Sequence, residues 1–153
     1  MSDVLAVLSS VPQLTSFLVY CIGISPLDDT DFCNTVIHAL SQRNGAQFEF
    51  LPNLTTFKWR HIPAHLAIFV ADCVVIRGWD VPHAISGVKL DFEFFKHEDE
   101  DEVFEPEDEV FEWEDEVYAI SKARFQQFKS AGVDINCKWE WWGKDEMMYC
   151  VPL

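Results

Sequence analysis

Val88-Lys89-Leu90-Asp91-Phe92-Glu93-Phe94-Phe95 sets apolar Val88, Leu90, Phe92 and Phe94 against polar Lys89, Asp91 and Glu93. A side-chain period of two belongs to an extended chain with one buried face, so this stretch predicts a half-buried strand. Upstream, residues 66–76 form a long β-branched apolar run that stops at Arg77-Gly78 and reads as a second strand. Residues 46–51 and 55–62 read as a hairpin around Pro52-Asn53, and residues 17–24 (FLVYCIGI) as a buried strand closed by Ser25-Pro26. Between these lies a helix over about 30–43. Asp28-Asp29-Thr30-Asp31 supplies its N-cap chemistry, Phe32, Val36, Ile37 and Leu40 keep helical spacing, and Asn44-Gly45 supplies the stop. Downstream, residues 135–142 and 147–151 predict a terminal hairpin turning at Gly143-Lys144-Asp145. The sum is one compact α+β domain over residues 1–153, with a mostly antiparallel sheet and two main helices, about 30–43 and 106–131.

The second helix is strongly acidic at its start because it lies in a repeat. Glu-Asp-Glu-Val-(Phe/Tyr) occurs at residues 100–104, 107–111 and 114–118, a spacing of seven that returns side chains to nearly the same helix face. Pro106 followed by Glu107, Asp108 and Glu109 is a helix start, since the missing N–H costs nothing there and acids suit the positive dipole end. Lys122, Arg124 and Lys129 fall toward the other end, and Gly132 closes it.

Composition narrows the function classes. Of the 153 residues, 49% are hydrophobic, with 13 Phe and 6 Trp, ample for a core without metal or disulfides. The formal net charge is −15, yet residues 98–116 hold 13 acids and no Lys or Arg. The rest of the chain sets the remaining 13 of 26 acids against all 11 Lys and Arg, so it is nearly neutral. A strip of that sign repels nucleic acid and anionic lipid and attracts cationic surfaces. The five cysteines are odd in number and lack a CxxC. With no positive n-region after Met1, they read as thiols of the cytoplasm or another reducing intracellular compartment.

Motifs for a reaction are missing: there is no GxSxG, Walker A or GxGxxG pattern. His61 and His65 have the spacing of a helical metal pair, but Pro63 lies between them, so they read as strand-end or loop residues. Cys73 with His83 is a remote nucleophile pair against the plainer reading of a buried thiol, and Gly78–His83 is a candidate ligand lip or simply a turn. An EF-hand pattern is lacking as well. No metal, cofactor or catalytic residue is therefore assigned, and no segment carries the motif set of a known family.

The leading expectation is a non-enzymatic binding protein that docks a basic protein partner: a nucleic-acid-binding protein, a toxin or a histone-like segment. It would act as inhibitor, nucleic-acid mimic or immunity-type factor. The expected contact residues are Glu100, Asp101, Glu102, Phe104, Glu107, Asp108, Glu109, Phe111, Glu112, Trp113, Glu114, Asp115, Glu116 and Tyr118. Like charges four apart, such as Asp108–Glu112 and Glu112–Glu116, oppose helix formation, and the interleaved rings exceed what one apolar stripe uses. The alternative is a structural or assembly protein forming a homo-oligomer through Trp139, Trp141 and Trp142 of the terminal hairpin; the third is a small enzyme of unspecified reaction.

Overall fold

The computed structural model describes residues 6–8, 10–20, 26–45, 47–97, 110–142 and 148–152. Its strands are β1 (Ser16–Tyr20), β2 (Arg43–Asn44), β3 (Gln47–Phe48), β4 (Thr56–Pro63), β5 (Lys89–His97), β6 (Asp134–Trp142) and β7 (Met148–Pro152). Its helices are α1 (Pro26–Ser41), α2 (Ala67–Ile76), the single turn α3 (His83–Ser86) and α4 (Val110–Ser130). No helix among the described residues is long and apolar enough to cross a membrane.

The main sheet runs β1-β4-β5-β6-β7, and the first four of these strands are parallel. Only β7 returns antiparallel, on β6, while β2 and β3 form a separate two-stranded ribbon. This corrects the expected α+β domain with a mostly antiparallel sheet: the arrangement is α/β. Two local expectations fall with it. Residues 66–76 are not a strand but a 3-10 turn (Ala64–Leu66) leading into α2. The hairpin expected between 46–51 and 55–62 does not form either, because β3 pairs with β2 and β4 lies between β1 and β5.

Spatial order along the parallel strands equals chain order. Crossovers between parallel strands are right-handed almost without exception, so three of them taken in one direction lay α1, α2 and α4 on a single face. The contacts agree: α2 packs against α1 on one side and α4 on the other. Strand residues turned toward these helices are buried, among them Phe57, Trp59, Leu90, Phe92, Phe94, Ile135, Cys137 and Trp139. They meet Cys33, Val36 and Leu40 of α1, Val70, Ala71 and Val74 of α2, and Phe125 and Phe128 of α4 in one core. Rings dominate it: Phe94 stacks on Trp139 at 4.4 Å between centroids, and Phe125 lies 5.5 Å from Phe94.

Two helices end by the same device. Gly78 after α2 and Gly132 after α4 take φ of 67° and 87°, in the left-handed region that glycine enters without penalty. Trp79 N–H then donates to Val74 O, and Gly78 N–H to Val75 O, both at 2.9 Å. Val133 N–H likewise reaches Phe128 O and Gly132 N–H reaches Lys129 O, at 3.1 and 3.0 Å. Both are Schellman closures, and the residue pair each one brings together is buried.

Beside the first closure lies Arg77, only 7% exposed and with no carboxylate against it among the described residues. Its Nη1 donates to Leu40 O at 3.1 Å and Phe50 O at 2.9 Å, and its Nη2 to Leu51 O at 2.7 Å. The guanidinium carbon sits 4.4 Å from the Phe48 ring centre and 4.6 Å from that of Trp79. Burial pulls its pKa down to about 10, leaving it charged at neutral pH. One side chain thereby joins the end of α1, the loop before β4 and the end of α2.

Candidate binding site on the uncovered face of the sheet

Alternation along the strands sends the remaining side chains to the opposite face, which no described element covers. Parallel register aligns them in rows: Leu18, Lys58, Asp91 and Asn136 in one, Tyr20 and Arg60 with Glu93 and Lys138 in the next, then Phe95 beside Glu140. Leu18 is 60% and Tyr20 54% exposed.

The rows are broken at one place. Pairing of β4 with β5 slips between Trp59 and Ile62, and His61 there has φ of 56°. A bulge of this kind adds one residue to a strand and re-aims its side chains. Both Arg60 and His61 consequently reach residues of the uncovered face. Arg60 spans two carboxylates, Nη2 to Asp91 Oδ2 at 2.9 Å and Nη1 to Glu93 Oε2 at 2.6 Å. Asn136 Nδ2 donates to the other Asp91 oxygen at 3.0 Å. His61 Nε2 lies 3.1 Å from Tyr20 Oη and 4.0 Å from Glu93 Oε1. Its ring centre is 4.9 Å from that of Tyr20 and 6.0 Å from that of Phe95.

Glu140 completes the group. Its pKa is raised, first by burial, then by the charge of Glu93 and a hydrogen bond with that carboxyl; His61 and Lys138 pull the other way without cancelling the rise. The site is thus a ring-walled polar cluster drawn from four adjacent strands, with a carboxyl pair at its centre.

The residues expected from sequence are distributed differently. Glu100, Asp101, Glu102, Phe104, Glu107, Asp108 and Glu109 lie outside the described residues. For Phe111, Glu112, Trp113, Glu114 and Asp115 only the helical backbone of α4 is described. Glu116 is exposed on α4, but Tyr118 is half-buried and meets Trp139 edge-on at 4.8 Å, which ties it to the core. Trp139 is 1% exposed beneath the helices, so it leaves the expected self-association surface. Trp141 and Trp142 pair along β6 with Tyr149 and Met148, and their side chains lie outside the described residues.

The minor candidates also separate. Cys73 is buried in α2, where loss of solvation pushes its thiol up to about 11 against the opposing effects of Ser41 and Arg77. His83 faces elsewhere, its Nδ1 lying 2.9 Å from Val88 O and 3.9 Å from Asp134. The Cys73–His83 pair is not formed. Gly78 and Trp79 belong to the helix closure, which removes them from any ligand lip. Among the described residues, no three His, Cys, Asp or Glu side chains come together as a metal site.

Sequence reasoning missed this cluster although half of its signal was present. Lys89, Asp91 and Glu93 were legible as the polar side of an alternating strand. Nothing in the residue order announced which strands would lie beside them, or that the chain would bulge at His61. Compared with family models, curated proteins and solved structures, the chain matches none.

Proposed function

We propose that this chain is a non-enzymatic binding protein that docks a Lys/Arg-rich polypeptide through the acidic segment 98–116. The observation that carries the reading is the segregation of charge. The segment joins the carboxyl end of β5, at His97, to the first turns of α4. Its residues include 13 acids and no Lys or Arg, while the rest of the chain is nearly neutral. Charge of one sign concentrated in one segment steers a cationic partner and selects against nucleic acid. Self-association through the terminal hairpin is the weaker reading, because Trp139, one of its three tryptophans, is buried in the core.

The test is a fluorescence-anisotropy titration of a labelled Lys/Arg-rich peptide, with an acidic peptide of equal length as control. Wild type is compared with a variant carrying Gln for the acids of 98–116. The expected result is binding of the basic peptide at about 50 mM salt that is lost at about 500 mM, where screening confines charge effects to a few ångströms. Equal affinity in wild type and variant refutes the proposal.

A further inference from the structure

Among the described strands of the main sheet, all are paired on both sides except the two at its ends, β1 and β7. The direction of the β1 backbone groups follows from the residue that leads into it. Thr15 O accepts from the N–H groups of Thr55 and Thr56 at 2.9 Å each, so the polar groups of Thr15 face β4. On an extended strand the N–H and C=O of one residue point to the same side, and successive residues alternate. Phe17 and Val19 therefore also bond toward β4, whereas Ser16, Leu18 and Tyr20 turn their N–H and C=O groups away from the sheet. No other described strand takes these groups up. Sheet edges are normally blunted by charge, proline or a bulge. None of these is present in β1: Ser16-Phe17-Leu18-Val19-Tyr20 is uncharged, and its register on β4 runs unbroken from Ser16–Thr56 to Tyr20–Arg60. The opposite edge contains Pro152, which has no N–H to donate.

We infer that β1 is a self-association edge, on which β1 of a second copy of this chain pairs antiparallel about a twofold axis at Leu18. Charge, register and closure select this occupant. A basic polypeptide laid along β1 would find no acid on it and would lie near Lys58 and Arg60, the β4 neighbours of Leu18 and Tyr20. A second β1 brings no charge to that place. Around a twofold at Leu18, Leu18 meets its own counterpart and Ser16 meets Tyr20 of the second copy. All of these are outward-turned residues, so each exchanges both backbone hydrogen bonds with the residue opposite and none is left over. The exposed side chains of Leu18 come together across the axis on the uncovered face. Such a contact uses β1 of both copies and closes the assembly as a dimer, whereas β1 set on β7 would propagate. Each copy has a formal net charge of −15, so pairing works against a repulsion that salt screens and strengthens as salt rises. That sign is opposite to the one expected of basic-peptide binding by residues 98–116, on which this inference does not rest.

The experiment is analytical ultracentrifugation of the full chain from about 5 to about 500 μM, at about 50 and about 500 mM salt, with amide hydrogen exchange at both ends of the concentration range. The expected result is a monomer that converts to a dimer as concentration rises, at lower concentration in high salt. The amides of Ser16, Leu18 and Tyr20 are expected to gain about tenfold protection or more in the concentrated sample, while those of Phe17 and Val19 are protected in both. Leu18→Lys sets like charges against each other across the axis, on a side chain that solvent already reaches. It is expected to weaken dimerisation about tenfold or more with the urea midpoint of the dilute protein unchanged, and Leu18→Val to keep the dimer. A monomer at every concentration and salt overturns the inference, and so does growth beyond a dimer. A dimer whose Ser16, Leu18 and Tyr20 amides exchange freely assigns the contact to another surface and also overturns it. Full protection of these amides in the dilute monomer does the same, because the edge is then occupied within one chain.

Discussion

Replacing Arg77 by Met keeps the aliphatic stem but removes the fork that three backbone carbonyls share. Leu40 O, Phe50 O and Leu51 O each lose a charged donor within 3.1 Å. A buried acceptor left unsatisfied costs about 1–3 kcal/mol, and the contacts with the Phe48 and Trp79 rings add about 1 kcal/mol more. Against this stands relief from dehydrating a cation, the same effect that pulls the Arg77 pKa down to about 10. The Nε atom, buried without an acceptor among the described residues, also ceases to be a cost. The balance is a loss of about 3–5 kcal/mol, in the range for removing one partner from a buried charged group. That is a large part of the roughly 5–15 kcal/mol available to a domain. In urea, with a slope of about 2 kcal/mol per molar, the midpoint falls by about 2 M at unchanged slope. Tryptophan fluorescence reads the transition, since Trp79 lies against the guanidinium. Arg77→Lys, which keeps the charge but not the fork, falls between the two. A loss below about 1 kcal/mol in Arg77→Met would mean that the carbonyls find water, and would refute the account of Arg77 as the joint of the fold.

Other expectations follow from the same geometry. Glu140 has its folded pKa above the unfolded value of 4.5, so its contribution is fully present below that value and is lost as pH rises through the folded pKa. Urea midpoints of wild type should fall relative to those of Glu140→Gln across that window, and parallel curves would contradict it. At His61, where φ is 56°, Gly is expected to be about 1 kcal/mol more stable than Ala, because both lack the ring and only Gly accepts the left-handed backbone. Equal unfolding midpoints for His61→Gly and His61→Ala would count against the bulge. Cys73 and Cys137 are buried with thiol pKa values pushed up by loss of solvation. Both should resist a thiol reagent in the native protein and react in urea; rapid native labelling at either residue, located by mass spectrometry, would contradict their placement.

How far the fold could be read from residue order depends on the element. The alternation around Leu90, Phe92 and Phe94 marked a strand with one buried face, and β5 occupies Lys89–His97. Period two does not distinguish parallel from antiparallel neighbours. One-faced strands are common in antiparallel sheets and rare in parallel ones, so the frequent pattern pointed to the wrong sheet. The run Ala67-Ile68-Phe69-Val70-Ala71-Asp72-Cys73-Val74-Val75-Ile76 misled for a related reason. The helix is buried where it meets α1 and α4, but Phe69, Val75 and Ile76 keep its exposed side apolar as well, so the run loses its 3.6-residue signature. Its stop at Gly78 was visible, its conformation was not. Of the candidate site, Asp91 and Glu93 were legible as the polar side of a strand, but their assembly with Arg60 depends on lateral order among strands 30 and more residues apart. Position in the chain carries no local trace of that order.

That lateral order has a consequence for synthesis. In doubly wound sheets a later strand must return to the far side of the first one, so early strands wait for partners made much later. Here β4 adds to β1, β5 to β4, β6 to β5 and β7 to β6, each on an edge already present when it leaves the ribosome. Among the described strands, none inserts between two earlier ones. The sheet can thus be laid down in the direction of translation, growing at one edge while β1 holds the other, and its last addition, β7, is antiparallel.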